Sequence, residues 1–381
     1  MKYFFSAGEV SGDLHASQVI TVLRAIDSEA QFKFLAGSHS VAAAGTNAEI
    51  DIKEMSVMGF GEVIRRLPRI LGHIATAKKC ISSWRPNAVV LIDYPSFNLK
   101  LAKYAHSLGI PVFWYISPKV WVWKEHRVKA MKKYITRLYS ILPFEVDYFK
   151  NKHNWDVHYV GNPSAEEVAN FLKSAKKLSN EDFRSTHQLP GAKPLLALLP
   201  GSRIKELKTN LPIMAEVARK LTGYASVIGG ITGIDSALYQ ELAPDMPVVY
   251  DDTYNLLLNS EAALVTSGTA TLETALLGVP QVMMYRHSGS KTVYKLFRRL
   301  LHVDYFSLPN LINNKPTIKE LVMHFCTPQN VENALLDILP GTEQHRLQQA
   351  DYAMMRETLG SYSPSSTVAH DIYNYLKSHN K

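Results

Sequence analysis

Two short loops in the second half of the chain carry residue types that suit a phosphorylated ligand. Leu195 to Leu199 is an apolar run that reads as a buried parallel strand, and Pro200-Gly201 stops it. Ser202 and Arg203 stand where a helix begins, with Ile204, Lys205 and Glu206 in its first turn. A strand that ends in a glycine turn at a helix N-terminus offers backbone N–H groups and a positive dipole end to an anion. Arg203 adds a forked cation that matches phosphate oxygens. A second turn of this kind follows. Ala262 to Thr266 reads as a strand, Ser267-Gly268-Thr269-Ala270-Thr271 as a small polar loop, and Leu272-Glu273 as the opening of a helix. Glu273 has two readings: an acceptor for a ribose's hydroxyls, as in dinucleotide folds, or a partner of the helix dipole.

Carboxylates mark the first half. Asp93 ends the most apolar run, Ala88 to Ile92, and precedes Tyr94-Pro95-Ser96-Phe97-Asn98. A carboxylate at the carboxyl end of a strand is placed for general-base work; the competing role is capping the next turn. The stretch Ser6-Ala7-Gly8-Glu9-Val10-Ser11-Gly12-Asp13 is a strand-to-helix turn with two glycines and two acids. It lacks the G-x-G-x-x-G spacing and the P-loop Lys. Its acids suit either the hydroxyls of a polar acceptor or helix capping.

Val57, Phe60, Ile64, Leu67, Leu71 and Ile74 fall on one helical stripe, with Arg65, Arg66, Arg69 and His73 between them. An apolar face beside a cationic one fits a helix lying in an anionic membrane surface, or a core-facing helix with its cations outward. Pro68 kinks it or begins a second piece. The net charge is +8. The clusters Lys124, His126, Arg127, Lys129, Lys132, Lys133 and Lys291, Lys295, Arg298, Arg299 come with no nucleic-acid motif, so solvated helix faces or anionic small ligands fit better than DNA or RNA. The two cysteines, Cys80 and Cys326, have no metal spacing and fit a reducing cytosol. The His residues show no ligand spacing, and adjacent Asp251 and Asp252 would point apart, so the expectation is no catalytic metal and no cofactor. No signal peptide is read at Met1-Lys2-Tyr3-Phe4-Phe5, and no apolar run is long enough for a bilayer span.

The elements that must position these residues alternate. Strands are read at Tyr3–Ser6, Phe32–Ala36, Ala88–Asp93, Pro111–Ile116 and Leu138–Leu142, then at Leu195–Leu199, Ala225–Ile228, Val248–Tyr250, Ala262–Thr266 and Gln281–Tyr285. Helical segments separate them, so the expected class is α/β, with two Rossmann-like doubly wound domains facing a cleft. Boundaries are placed at 1–163, 164–342 and 343–381. Gly161-Asn162-Pro163 or Leu178–Lys193 is the expected linker, and the last segment is a helical tail packing back on the first domain.

Eight motifs, in order along most of the chain, resemble the lipid-A-disaccharide synthase family: Ser6–Leu14, Ser56–Gly59, Ile92–Asn98, Ser117–Trp123, Leu142–Glu145, Leu198–Arg203, Ser267–Glu273 and Ser307–Leu311. The resemblance implies a B-type glycosyltransferase fold and a hexosyltransferase of lipid A biosynthesis. The implied reaction joins UDP-2,3-diacylglucosamine to 2,3-diacylglucosamine 1-phosphate, inverting the donor's configuration to a β-1,6 link and releasing UDP. By this resemblance Asp93 is the catalytic base. Ser202, Arg203, Glu206, Gly268, Thr269, Glu273 and Asn310 bind the donor. Gly8, Glu9, Ser11, Gly12 and Asp13 line the acceptor side. Val57, Phe60, Ile64, Arg65, Leu67 and Leu71 meet an anionic membrane, at the inner face of the cytoplasmic membrane of a Gram-negative bacterium. The resemblance also allows a homodimer that exchanges segments from Tyr362 to Lys381. The alternative is a UDP-sugar epimerase or another UDP-sugar-binding protein of the same fold.

Overall fold

The computed structural model describes residues 1–51, 67–189, 191–286 and 304–379. The chain forms two compact units, Met1–Pro163 with Ser361–Lys381, and Ser164–Gly360. In the first, strands β1 (Lys2–Ala7), β2 (Gln31–Ala36), β3 (Ile50–Asp51), β4 (Ala88–Ile92), β5 (Val112–Tyr115), β6 (Arg137–Ser140) and β7 (His158–Tyr159) form one parallel sheet. Its order is β3-β2-β1-β4-β5-β6-β7. Helices α1 (Val10–Ile26), α2 (Ser38–Ala44), α3 (Leu67–Trp84), α4 (Pro95–Ser107), α5 (Val128–Tyr134) and α6 (Pro143–His153) connect the strands.

The unbroken apolar runs follow from burial on both faces. In β4, Val89 and Leu91 enter one core, and Ala88, Val90 and Ile92 enter the other. Each fully buried Val, Leu or Ile side chain contributes roughly 1.5–3 kcal/mol.

The second unit repeats the plan with α7 (Pro163–Lys173), α8 (Asn180–Thr186), β8 (Leu195–Leu199), α9 (Ile204–Lys220), β9 (Ala225–Gly230), α10 (Ser236–Leu242), β10 (Val248–Tyr250), α11 (Thr253–Leu258), β11 (Ser260–Thr266), α12 (Thr269–Leu276), β12 (Gln281–Tyr285), α13 (Leu308–Asn313), β13 (Lys319–Val322), α14 (Pro328–Leu336) and α15 (Glu343–Leu359). The sheet order is β10-β9-β8-β11-β12-β13, again parallel. β8 divides its side chains as β4 does, with Leu196 and Leu198 on one face and Leu195, Ala197 and Leu199 on the other.

The segment after residue 342 divides. Gln348 of α15 binds the backbone of Gln281 in the second unit, donating to its carbonyl and accepting from its N–H at 3.0 Å. The last helix, α16 (Pro364–His379), lays Val368, Ala369, Ile372 and Leu376 into a core of the first. Tyr139 Oη of β6 donates to Asp371 Oδ2 at 2.6 Å, fastening α16 there. Leu178–Lys193 is not a linker, because α8 buries Phe183 against Leu195 and Val227.

The stripe read over 57–74 is met only in part. Val57, Phe60, Ile64 and Arg65 lie outside the described residues, as does the side chain of Leu67. α3 is described from Leu67 onward, with Pro68 next to it. Ile74 is buried with Ala77 and Ile81 in the core, a correction to its place on the membrane-facing stripe, while Leu71 stays 49% exposed.

Candidate active site

In each sheet the strand order reverses once, between β1 and β4 and between β8 and β11. In open α/β sheets ligands bind at the carboxyl ends of the strands flanking such a reversal. The Gly8 and Asp93 turns leave one of these edges, and the Ser202 and Gly268 turns leave the other.

Asp93 is the first residue past β4. It has φ 42°, and Tyr94 follows at φ 48°, so two consecutive non-glycine residues are left-handed. Past β5, Ile116 has φ 66°, unusual for a β-branched residue. Such conformations cost about 1–3 kcal/mol each and persist where their surroundings hold them. Here the holder is Asn98, fully buried in α4. Its Nδ2 donates to Asp93 O at 2.7 Å and Ile92 O at 3.1 Å, and its Oδ1 accepts from Ser6 Oγ at 2.7 Å. Asp93 N–H donates to Tyr115 O at 3.1 Å.

The Asp93 side chain keeps contact with water. The protein around it still removes much of the bulk solvent, and Glu9 adds a like charge. Both raise its pKa, and Lys119 opposes them. Gly8 has no room for a side chain, because the ring of Tyr94 fills the space a Cβ would take. Glu9 and Ser11 are exposed at the start of α1, and Gly12 packs on Ala7 and Ile92.

Asp13 corrects its acceptor-side assignment. It is buried and accepts from the N–H groups of His39 at 3.0 Å and Ser40 at 3.1 Å, so it caps the start of α2.

Glu145 is a further carboxyl near this edge, fully buried in the first turn of α6. Ser140 Oγ donates to it, and Trp121 Nε1 donates at 2.8 Å. Burial pushes its pKa up to about 7 against those two hydrogen bonds. It anchors the loop that runs from Ser117 through Lys119 to Trp123.

In the second unit a cavity of about 1200 Å³ opens over β8 and β11, lined by Ser202, Arg203, Glu206, Gly268, Thr269 and Glu273 among others. Gly201 has φ 109°, and a Cβ there would come within 2.6 Å of Glu206 Oε2, so the turn requires glycine. Glu206 folds back on the loop. It accepts from Ser202 N–H at 3.2 Å and from Arg203 Nη1 at 2.8 Å. A carboxylate of the chain itself thus sits among the loop's donors, while the Arg203 side chain remains 74% exposed. Across the cavity, Gly268 at φ 149° starts α12. Burial, then the charge of Glu167 on α7, push the Glu273 carboxyl up to about 7, and a hydrogen bond from Tyr254 of α11 works against them.

Asn310 stands in α13 and binds β13. It is buried, and Nδ2 donates to Ile318 O at 3.0 Å and Glu320 Oε1 at 2.9 Å, while Oδ1 accepts from Ile318 N–H at 2.8 Å. It clips α13 to β13 and is not part of the lining of this cavity.

Residues 3–369 match the family model described as lipid-A-disaccharide synthetase. The chain belongs to the lipid-A-disaccharide synthase family. It is 32% identical over 375 residues to the lipid-A-disaccharide synthase of Koribacter versatilis, covering 97% of this chain and 96% of that one. It is 34% identical over 379 residues to that of Myxococcus xanthus, with the same coverage. Among solved structures, it resembles UDP-GlcNAc 2-epimerase from Neisseria meningitidis bound to UDP-GlcNAc, with TM-score 0.63, 12% identity and 100% of both chains covered. The calicheamicin glycosyltransferase CalG4 is also similar, with TM-score 0.63, 14% identity, and 100% of this chain and 99% of that one covered. At such identity these two show the fold alone, the B-type glycosyltransferase architecture. The family match sets the chain apart from the epimerases.

In this lipid-A-disaccharide synthase family member, Ser202, Arg203, Glu206, Gly268, Thr269 and Glu273 come together around one cavity, and Gly8 and Asp93 share one sheet edge. Glu167, Tyr254, Asn98 and Glu145 went unassigned in the sequence. Asn98 and Glu145 fall inside quoted motifs, but nothing in their spacing told which backbone or ring they hold. Among the described residues no helix is long and apolar enough to cross a membrane.

Proposed function

We propose that this chain condenses UDP-2,3-diacylglucosamine with 2,3-diacylglucosamine 1-phosphate to give the β-1,6-linked disaccharide 1-phosphate and UDP. The observation that carries the reading is Asp93, clamped in a left-handed turn at the end of β4 with a raised pKa. A raised pKa makes a carboxylate a better proton acceptor. The first unit takes the acceptor and the second the donor.

The acceptor's 6-hydroxyl oxygen attacks the anomeric carbon from the face opposite UDP, and Asp93 accepts the hydroxyl proton. The bond from that carbon to the UDP oxygen breaks, so the α configuration of the donor becomes β. Arg203, Ser202 N–H and the N-terminus of α9 stabilise the charge that grows on the departing diphosphate, which takes the place Glu206 holds. Glu273 accepts from the ribose hydroxyls. Gly268 and Thr269 supply the second turn around the nucleotide. The likeness to a protein bound to UDP-GlcNAc supports a nucleotide-sugar donor. Because both substrates carry acyl chains, the enzyme works on the anionic inner face of the cytoplasmic membrane, with the segment from Val57 to Leu71 as its contact.

Asp93→Asn keeps the size and removes the base. Turnover should fall roughly 10²- to 10⁴-fold while UDP affinity stays near normal. Steady-state kinetics with titration calorimetry of UDP tests this, and retained turnover would remove the base from the scheme.

A further inference from the structure

On the turn of α4 that follows Asp93, Ser96 meets a cation that the scheme above does not use. Arg127 ends a short 3-10 turn, Glu125–Arg127, and its Nη2 donates to Ser96 Oγ at 3.1 Å. Ser96 lies in the first turn of α4, three residues past Asp93. Lys124 precedes the turn in a left-handed conformation, φ 62°, with its ammonium 3.8 Å from the ring centroid of Trp123. That contact holds Lys124 in place, although Trp123 itself is 56% exposed.

The charge of Arg127 acts on Lys124, three residues before it. Burial draws both toward lower pKa, and for Lys124 the charge of Arg127 adds to it. Among the described residues no carboxylate forms an ion pair with either. The acids nearby are otherwise engaged. Glu125 turns to Lys152 at 2.7 Å and His153 at 3.1 Å, and Tyr148 donates to it at 3.0 Å. Glu145 is buried under Trp121. Glu9 and Asp93 bear on one another, and Lys119 acts on Asp93. Two like charges with no carboxylate paired to either among the described residues are relieved when an anion joins them. Ser96 itself stands in the first turn of α4, where unpaired N–H groups and the positive dipole end lie. A guanidinium fork, an ammonium, a serine hydroxyl and a helix start together suit a phosphate monoester dianion.

We infer that Arg127, Lys124 and Ser96 form the subsite that holds the phosphate of the acceptor, beside the base that activates its hydroxyl. This inference rests on the functional reading above, in which the acceptor is a sugar 1-phosphate. It makes Arg127 and Lys124 specificity-determining residues: they select a phosphorylated acceptor over the same lipid sugar without its phosphate.

The test compares 2,3-diacylglucosamine 1-phosphate with 2,3-diacylglucosamine as acceptors in detergent micelles, at saturating donor, for wild type, Arg127→Gln and Lys124→Gln. Wild type should prefer the phosphorylated acceptor. Arg127→Gln should lower its kcat/KM by roughly 10- to 100-fold, through KM, and leave the donor's KM and the other acceptor's kcat/KM unchanged. Lys124→Gln should act the same way and more weakly, and it carries the test alone if Arg127→Gln fails to fold. A preference that survives both substitutions overturns the subsite while the reaction stands. So does an equal loss with both acceptors. Loss of binding to anionic vesicles with the preference intact assigns the cations to lipid headgroups, which also overturns it. A wild type that makes no disaccharide with either acceptor overturns the functional reading and this inference together.

Discussion

Glu145 shows how much a single buried carboxyl can decide. It has no access to water, and its two hydrogen bonds hold Trp121 and Ser140. Its pKa, about 7 in the folded chain, stands above the ordinary 4.5. The folded state therefore favours the protonated form. Its contribution to stability is full below about pH 4.5 and is lost as pH rises through about 7. Glu145→Gln removes the titration but can still accept from Trp121 and donate to Ser140. The variant should match wild type near pH 4.5 and gain on it as pH rises, by roughly 3 kcal/mol at pH 8. Urea midpoints at pH 5 and pH 8 measure this, and a gap that does not change with pH contradicts it. The same residue marks where sequence reading runs out. The places of Asp93 and Arg203 just past β4 and β8, and of Glu273 in the helix after β11, were legible from the apolar runs before them. Asp13 and Asn310 are polar too, yet Asp13 turns to backbone N–H groups and Asn310 to the backbone of Ile318 and the Glu320 carboxylate, which no local pattern reveals. The amides that Asp13 caps belong to a helix 26 and 27 residues further on.

At the scale of elements, the strands buried on both faces were the most readable. Leu195–Leu199, Val248–Tyr250 and Gln281–Tyr285 fall where the apolar runs place them. β3 and β7 are two residues each, too short to carry a period, and β13 alternates only weakly. The helical stripe over 57–74 was misread at its end. α3 turns Ile74, Ala77 and Ile81 inward, so the membrane contact proposed above can extend only as far as Leu71. Under that proposal, apolar residues set among arginines, each worth about 1 kcal/mol near anionic lipid, suit reversible docking. Replacing Ile64, Leu67 and Leu71 together by Ser should move most of the protein from vesicles containing anionic phospholipid to the supernatant on sedimentation. Equal co-sedimentation would place the docking on another surface.

The whole molecule is two parallel sheets of like topology, each with one reversal of strand order and one set of strand-to-helix turns beside it. Repeated alternation of strand and helix made this architecture legible, while the division of the C-terminal helices did not show. α15 and α16 are both amphipathic, and only tertiary contacts decide that one stays with the second unit and the other returns to the first. Such a scaffold serves many activities, so the central claim has to be tested on the product. The direct measurement is mass spectrometry of the purified protein incubated with UDP-2,3-diacylglucosamine and 2,3-diacylglucosamine 1-phosphate. The account predicts a disaccharide monophosphate appearing in step with UDP. UDP released without disaccharide, or a free epimerised sugar nucleotide, would contradict it.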